Sequence, residues 1–290
     1  MSAPSLPRSS IAVIVNGLPG AMGMQVSKAC LARGLVLAPA ALTGPGMPVS
    51  VNVDSHTVAL VDATAPGAID TMRACVAELK AKGLTPIAID FTHPSAVNKN
   101  ADMYNALGLP FVMGTTGGDR EQLLKSTREA GTPAVIAPNM CKQIVAFQAM
   151  MKHMAETYPG AFEGYTLRVE ESHQKTKADT SGTAKAVVES LGALVKKPMP
   201  ERDIKKLRTD ADSASFGVPR EHLDGHAYHT YRLTSGDGSV TFEFKHNVNG
   251  RSTYAEGVAD AVIFLADRIA AGKERRVYDM IDVLRSGAML

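Results

Sequence analysis

Short apolar runs, each followed by a loop rich in Gly, Thr or Asn, recur through the first half of this chain. That recurrence restricts its fold more than any other feature. Ile11–Val15 is β-branched and leads into Asn16-Gly17-Leu18-Pro19-Gly20-Ala21-Met22-Gly23, with a helical stretch from about Met24. Leu35–Leu42 reads as the second strand and Thr57–Asp62 as the third. Ala68–Lys82 is helical, with Gly83 as its terminator. Pro86–Asp90 is a buried strand, and the helix after it is expected to start at Ser95, a suitable N-cap. Leu109–Met113 is the next strand, then Gly114-Thr115-Thr116-Gly117-Gly118, then a helix from about Asp119 to Ala130. Ala134–Ala137 closes the series at Pro138-Asn139. Alternation of this kind predicts a Rossmann-like, doubly wound parallel sheet. Strand C-termini in such a sheet gather at one edge, so Gly17–Gly23, Asp90–Pro94, Gly114–Gly118 and Pro138–Lys142 are expected to meet there.

From Cys141 the pattern changes. A Met-rich helix (about Gln143–Thr157) leads into a strand, Tyr165–Glu171, and a second helix runs from about Thr183 to Val195. Lys196–Pro219 shows little periodicity and receives no role. Ala227–Leu233 and Val240–Asn247, joined through Ser235-Gly236-Asp237-Gly238, read as a β-hairpin, and an apolar helix occupies about Ala255–Ala271. With fewer crossover helices, this half is expected to form an α+β domain with a mixed sheet.

Composition removes several classes of function. The formal net charge of the 290 residues is +2, which gives no basis for a nucleic-acid or membrane surface. No apolar run reaches membrane-spanning length. Cys30, Cys75 and Cys141 are scattered, odd in number and without metal-ligand spacing, which fits a reducing compartment. No metal site is expected; His222, His226 and His229 lack a partner Cys or Asp at suitable spacing, and His246 is unassigned. The first ten residues, rich in Pro and Ser, are expected to form a disordered tail. Cytoplasm is the expected location, or plastid stroma if a transit peptide has been removed.

The chemistry concentrates in His173–Thr183. A strand ends in an imidazole, two ammonium groups (Lys175, Lys177) follow, and Thr180-Ser181-Gly182-Thr183 opens a helix. Proton donor, fixed positive charge and helix N-terminus together suit a small anionic substrate that must be held and protonated. The plainer reading is a strand-end histidine beside solvated lysines. Ser181 has Ala184 where a capping box wants Glu or Gln, which favours a carboxylate cradle over a helix cap. Asp179 is expected to order the loop. Arg251, just before the last helix, could pair with a carboxylate or lie on the surface. Strand, glycine-rich turn and helix at Gly17–Gly23 suit a dinucleotide pyrophosphate, although Gly-x-x-Gly-x-x-Gly also serves a plain turn. Met22 and Met140 read first as packing residues. No acidic residue lies between Ala29 and Asn52, and the second strand ends in Ala41-Leu42-Thr43-Gly44. The Thr43 hydroxyl and nearby amides could meet a 2′-phosphate, so NADPH is favoured, with NADH tolerated.

With these residues assembled, the chain resembles the dihydrodipicolinate reductase family over nearly its whole length. The resemblance rests on Gly17-x-x-Gly20-x-Met22-Gly23, Asp90-Phe91-Thr92, Gly114-Thr115-Thr116-Gly117, Ala137-Pro138-Asn139, Glu171-x-His173-x3-Lys177-x-Asp179, Ser181-Gly182-Thr183 and His246-x4-Arg251. It implies NAD(P)H-dependent reduction of 4-hydroxy-tetrahydrodipicolinate, a small dicarboxylate, on the diaminopimelate route to lysine, by a homo-oligomer. It implies a dinucleotide-binding domain over 1–140 completed by 255–290, and a substrate-binding and oligomerisation domain over 141–254. Catalysis falls to His173 and Lys177, and substrate binding to Gln174, Ser181, Gly182, Thr183 and Arg251. Cofactor contacts fall to Asn16, Gly17, Pro19, Gly20, Ala21, Met22, Gly23, Thr43, Asp90, Phe91, Thr92, Gly114, Thr115, Thr116, Pro138, Asn139 and Met140. Common bacterial members carry a second histidine where this chain has Gln174, and one more residue before Ser-Gly-Thr. Both departures look like the plant-type branch. The rival readings are another NADP-dependent dehydrogenase of a small metabolite, and a non-catalytic NADPH-binding sensor.

Overall fold

The computed structural model describes residues 5–272 and 276–287. The chain divides into two compact units, 1–142 with 254–290, and 143–253.

The first unit is built on a six-stranded parallel sheet. In spatial order it runs β13 (Val277–Tyr278), β8 (Ala134–Ile136), β7 (Phe111–Met113), β6 (Thr85–Asp90), β1 (Ile11–Asn16) and β2 (Val36–Leu37). Strand β1 is buried at every position, as a central strand covered on both faces must be. Helices α1 (Ala21–Ala32), α2 (Ala68–Ala81), α3 (Val97–Ala106) and α4 (Arg120–Ala130) lie in the crossovers, and α8 (Ser252–Ala270) has a continuous buried run from Gly257 to Ala266. The Rossmann-like parallel sheet is thus present.

Several boundaries differ from expectation. The second strand is two strands: Pro39, which has no N–H to donate, separates β2 from β3 (Ala40–Thr43). Strand β3 pairs with β5 (His56–Asp62), and β5 with β4 (Ser50–Val53), in a separate three-stranded sheet, so the expected third strand lies outside the main sheet. Helix α1 begins at Ala21, not near Met24, which puts Ala21, Met22 and Gly23 in its first turn. Ser95 caps nothing: Pro94–Ala96 is a 3-10 turn capped by the His93 ring, and α3 starts at Val97. The expected disordered tail falls partly outside the described residues. Within them, Arg8–Ser10 is a 3-10 turn and the Leu6 amide donates to Asp267 at 3.2 Å. Strand β13 and helix α9 (Met280–Arg285), which opens on an Asp279/Asp282 capping box, were not foreseen.

The second unit holds a four-stranded mixed sheet in the order β10 (Lys205–Leu207), β9 (Thr166–His173), β11 (His226–Thr234), β12 (Thr241–Asn249). Only β10–β9 is parallel. Helices α5 (Lys142–Thr157), α6 (Gly182–Leu194) and α7 (Asp210–Ser215) complete the set. Met151, Val187, Leu191, Tyr231 and Leu233 form its apolar centre. The segment after residue 196 is therefore not featureless, since it carries β10 and α7. Strand β9 runs to His173, so the imidazole sits on the sheet itself and not in the loop beyond it.

Candidate active site

In the first unit the loops after β1, β3, β6 and β7 are tied through one buried carboxylate. Asp90 is fully buried at the end of β6. Its Oδ1 accepts from the Thr92 hydroxyl (2.8 Å), the Thr92 amide (3.2 Å) and the Thr115 hydroxyl (2.6 Å). Its Oδ2 accepts from Asn100 Nδ2 (2.9 Å) and the Tyr104 hydroxyl (2.7 Å). Tyr104 accepts in turn from Asn16 Nδ2 at 2.7 Å, and Asn16 Oδ1 accepts from the Leu42 amide at 2.8 Å. Burial, and then the Asp90 charge, hold the Tyr104 phenol well above its ordinary pKa, so it stays a donor. A network satisfied at each of these groups in a dry interior fixes its loops firmly.

The loops so fixed are shaped by glycines. Gly17 has φ +98°, and a Cβ there would lie 2.1 Å from the Phe91 carbonyl oxygen. A Cβ on Gly114 would lie 2.2 Å from the Phe91 ring, so that ring is seated flat against the Gly114 backbone. The Leu18–Pro19 peptide is cis. Gly20 is the N-cap of α1, and the first-turn amides of Ala21, Met22 and Gly23 point out of the helix without intrahelical partners, a ready anion site. A crevice of about 200 Å³ lies at the ends of β7 and β8, lined by Thr115, Thr116, Gly117 and Pro138 among others. A second cavity of about 690 Å³, not foreseen, lies beside Leu42, Ala63, Arg73 and Lys99.

Three of the residues assigned to the cofactor, Asn16, Asp90 and Thr43, also tie the loops together through their side chains. Asn16 and Asp90 are fully buried and occupied as described. The Thr43 hydroxyl donates to the Leu18 carbonyl at 2.6 Å. Met140 is buried. Pro19, Gly20, Ala21, Met22, Phe91, Thr92, Thr115, Thr116, Pro138 and Asn139 all retain at least partial exposure.

In the second unit the strand register does the assembling. His229 on β11 faces Glu171 on β9 and His246 on β12, and His173 lies two residues from Glu171, on the same face. The His173 and His229 rings meet edge to face at 5.1 Å, and His229 and His246 lie 4.5 Å apart. His229 Nδ1 shares a 2.8 Å hydrogen bond with the Tyr231 hydroxyl. His173 Nδ1 is buried with no hydrogen-bond partner among the described residues, and the Glu171 carboxylate lies 4.0 Å from it. Burial first, then the Arg208 and Lys177 charges, push the His173 imidazole down to about 3. Burial likewise lowers His246 to about 4 and His229 well below its ordinary value.

Glu171, His173 and His229 each bring a ligand-type atom within 4.8 Å of the others, the geometry of a small cation site. The charges argue for an anion instead. Glu171 already accepts from the Arg208 guanidinium and from the Ser181 amide (3.1 Å), and Lys177 adds a second fixed cation. Lys177 Nζ donates to Asp179 at 2.8 Å, which holds that carboxyl below its usual range. Ser181 is the N-cap of α6 without a side-chain cap bond, and the space above Gly182 is open for at least 4 Å. Arg251 packs over Gly225, its Nη1 3.1 Å from where a Cβ would be. Gln174 is half-buried and its carbonyl accepts from the Lys177 amide at 2.9 Å. His226 bonds Ser172 Oγ (2.8 Å) and the His222 carbonyl (3.1 Å), a supporting role. Arg208, His229 and Tyr231 are the site residues that sequence reasoning missed. The register of the hairpin was the signal that could have found His229.

Residues 11–140 match the family model described as dihydrodipicolinate reductase, N-terminus, and residues 143–284 match dihydrodipicolinate reductase, C-terminus. The chain is 46% identical over 288 residues to 4-hydroxy-tetrahydrodipicolinate reductase 1, chloroplastic, of Arabidopsis thaliana, covering 98% of this chain and 80% of that one. It is 45% identical over 294 residues to the probable 4-hydroxy-tetrahydrodipicolinate reductase 1, chloroplastic, of Oryza sativa subsp. japonica, covering 99% and 83%. A bacterial relative, the 4-hydroxy-tetrahydrodipicolinate reductase of Ralstonia pickettii (strain 12J), is 30% identical over 279 residues, covering 94% and 98%. Among solved structures, the dipicolinate-bound dihydrodipicolinate reductase from Paenisporosarcina sp. TG-14 shares the fold, with a TM-score of 0.59 at 17% identity over 93% of this chain and 97% of that one. The plant-type likeness of Gln174 and Thr180–Thr183 agrees with the higher identity to the two plant relatives.

Proposed function

The chain belongs to the dihydrodipicolinate reductase family, and from that premise we propose how its own residues carry the family's reaction. That reaction is the NAD(P)H-dependent reduction of 4-hydroxy-tetrahydrodipicolinate in lysine biosynthesis. The 4-hydroxyl leaves as water together with one proton from the neighbouring ring carbon, giving a double bond between the two carbons. The nicotinamide, when bound, would supply a hydride to C4. The neighbouring ring carbon must then gain a proton. His173 delivers it, and Lys177 stabilises the dicarboxylate alongside. Before substrate arrives, burial and the Arg208 and Lys177 charges keep the imidazole neutral. Two carboxylates beside it offset that positive charge and raise its proton affinity, so proton and substrate are taken up together. Ser181, Gly182 and Thr183 at the start of α6, with Gln174 and Arg251, hold the carboxylates. The observation that carries this reading is the presentation of His173, Lys177 and the α6 N-terminus within eleven residues, at a buried corner where Arg208 and Lys177 act on the imidazole.

For the cofactor, the loops at Gly17–Gly23, Gly114–Gly118 and Pro138–Asn139 support the pyrophosphate and nicotinamide, and the cavity beside Leu42 and Ala63 supports the adenosine. We favour NADPH because no acidic residue lies between Ala29 and Asn52 to accept a ribose 2′-hydroxyl, with the Thr43 hydroxyl here engaged by the Leu18 carbonyl. We also propose a homo-oligomer: β12 is an edge strand, and Phe242 on it is 42% exposed. Among the described residues, no helix is long and apolar enough to cross a membrane. The buried Cys30, Cys75 and Cys141, none in a disulfide, support a reducing compartment, cytoplasm or plastid stroma.

The test is a fall in NADPH absorbance on adding the fresh product of dihydrodipicolinate synthase. Turnover with that product, and none with other carbonyl acids, is expected. Cofactor binding without substrate-dependent oxidation would instead support the sensor reading.

A further inference from the structure

The segment 196–219 carries no recognisable motif, yet one of its side chains uses every donor it has on the reactive loop and the strands beside it. Arg208 directly follows β10, whose pairing with β9 sets Leu207 opposite Ser172. Its Nε donates to the Lys177 carbonyl at 2.8 Å. Nη1 donates to the carbonyls of Leu207 (3.1 Å) and Glu171 (3.4 Å), and Nη2 to the Asp179 carbonyl (3.2 Å) and the Glu171 carboxylate. A guanidinium has five N–H donors in one plane, and these are five bonds. Glu171, fully buried, then accepts the Ser181 amide at 3.1 Å. Arg208 and Glu171 thus grip the loop before its start, at its middle and at its end.

The loop has little else to hold it. Lys175, Thr176, Ala178 and Asp179 are exposed and bury no apolar side chain. Its internal ties are the Gln174–Lys177 turn and the Lys177–Asp179 ion pair, and an exposed pair of that kind contributes at most about 1 kcal/mol.

We propose that Arg208 is a positioning residue for the reduction: through five hydrogen bonds and the Glu171 carboxylate it fixes loop 174–181, so that the Lys177 ammonium and the Ser181 turn meet the dicarboxylate in one geometry. The proposal rests on the reductase reading above. A lysine at 208 keeps the charge but, with three donors on one atom, cannot reach acceptors spread around the edge of the guanidinium.

The test compares Arg208→Lys with the wild type in the full chain. Expected are a loss of about 10²-fold in kcat/KM for the dicarboxylate, the cost of a misplacement near 1 Å, and an unchanged KM for NADPH. Deuterium exchange should quicken at amides 174–181 and stay unchanged elsewhere in the second unit. Arg208→Ala leaves the buried Glu171 charge uncompensated and can fail to fold. Arg208→Ala/Glu171→Gln, which buries no charge, is the companion, expected to fold with the same loose loop and slow turnover. Methylguanidinium added to the folded Arg208→Ala protein should restore part of the lost kcat/KM. Wild-type kcat/KM in Arg208→Lys overturns the proposal. So does a slowed variant whose exchange rises evenly through the second unit, since that marks general destabilisation. A wild-type protein with no substrate-dependent NADPH oxidation defeats the reductase reading instead, and leaves the loop's exchange behaviour to judge Arg208 separately.

Discussion

The two polar centres of this molecule are held by opposite means. Around Asp90, in the first unit, neutral donors converge on a buried carboxylate, and hydroxyl and amide partners match it bond for bond. Around Glu171, in the second, cations crowd a carboxylate while three imidazoles pack against one another, with His173 Nδ1 and both His246 nitrogens lacking hydrogen-bond partners among the described residues. A satisfied network has nothing further to gain from a ligand and serves as a rigid frame. A corner whose buried polar atoms are unmatched, beside two cations, still has hydrogen bonds to gain from a ligand. The first centre is suited to hold backbone loops for a cofactor that comes and goes. The second is suited to bind and protonate a dianion.

The largest effects should come from the unmatched centre. His173→Ala is expected to lower kcat/KM by about 10²–10⁴-fold, and fluorescence titration should show NADPH affinity unchanged. Lys177→Ala should raise KM and lower kcat together, because fixed charge beside a dicarboxylate acts in ground and transition states alike. If either variant lost cofactor affinity as strongly as turnover, the division of labour between the two centres would be wrong.

Proton uptake with substrate makes the contrast visible in pH. Because the imidazole at 173 is neutral far above about 3 in the free protein, log kcat/KM should fall with a slope near −1 through the neutral range. A flat profile there would move the proton donor to Lys177. Stability should respond in the other sense. His173 at about 3, His246 at about 4 and His229 well below its ordinary value all have folded pKa values beneath the unfolded one, near 6.5. On acidification through that value the unfolded chain takes up protons the folded one refuses. The contribution of these groups is therefore complete above pH 6.5 and is lost as pH falls towards their folded values, at up to about 1.4 kcal/mol per pH unit for each. His246→Gln, in urea titrations at descending pH, should reduce the slope by about one proton.

How much of this was open to reading depends on whether the cause was local. The parallel sheet was legible because strands covered on both faces are continuous apolar runs, as in Ile11–Asn16 and Thr85–Asp90. The break at Pro39, the two residues of β13 and the three of β10 were not, because none spans a period. His173 and Lys177 stood out as charge beside a helix start. His229 and His246 did not, because only the pairing of β11 with β9 and β12 places them beside His173. Arg208 was silent for a deeper reason: four of its five acceptors are main-chain carbonyls, which every residue carries. Asn16, Thr43 and Asp90 show the converse, since a polar side chain at a strand end reads alike whether it faces a ligand or the next loop.

The frame of the first unit should yield smaller effects, on affinity and stability before chemistry. Tyr104→Phe removes one donor from Asp90 and one acceptor from Asn16, both buried, and should cost about 2–3 kcal/mol of stability. NADPH affinity should weaken while the slope of log kcat/KM against pH keeps its value. Unaltered cofactor affinity in a destabilised Tyr104→Phe protein would mean that the loops keep their shape without the network.

Thr43→Val is the smallest test and the most direct one for the cofactor. Valine keeps the shape of threonine and deletes the hydroxyl that donates to the Leu18 carbonyl at 2.6 Å. The loss should be about 1 kcal/mol of stability, the net worth of one hydrogen bond. The ratio of kcat/KM for NADPH over NADH should not move, because a donor already engaged with the backbone has no proton left for a 2′-phosphate. Were the ratio to fall tenfold with stability intact, Thr43 would have to turn from Leu18 to the cofactor on binding. The first centre would then be a responsive surface like the second, and the contrast between them would dissolve.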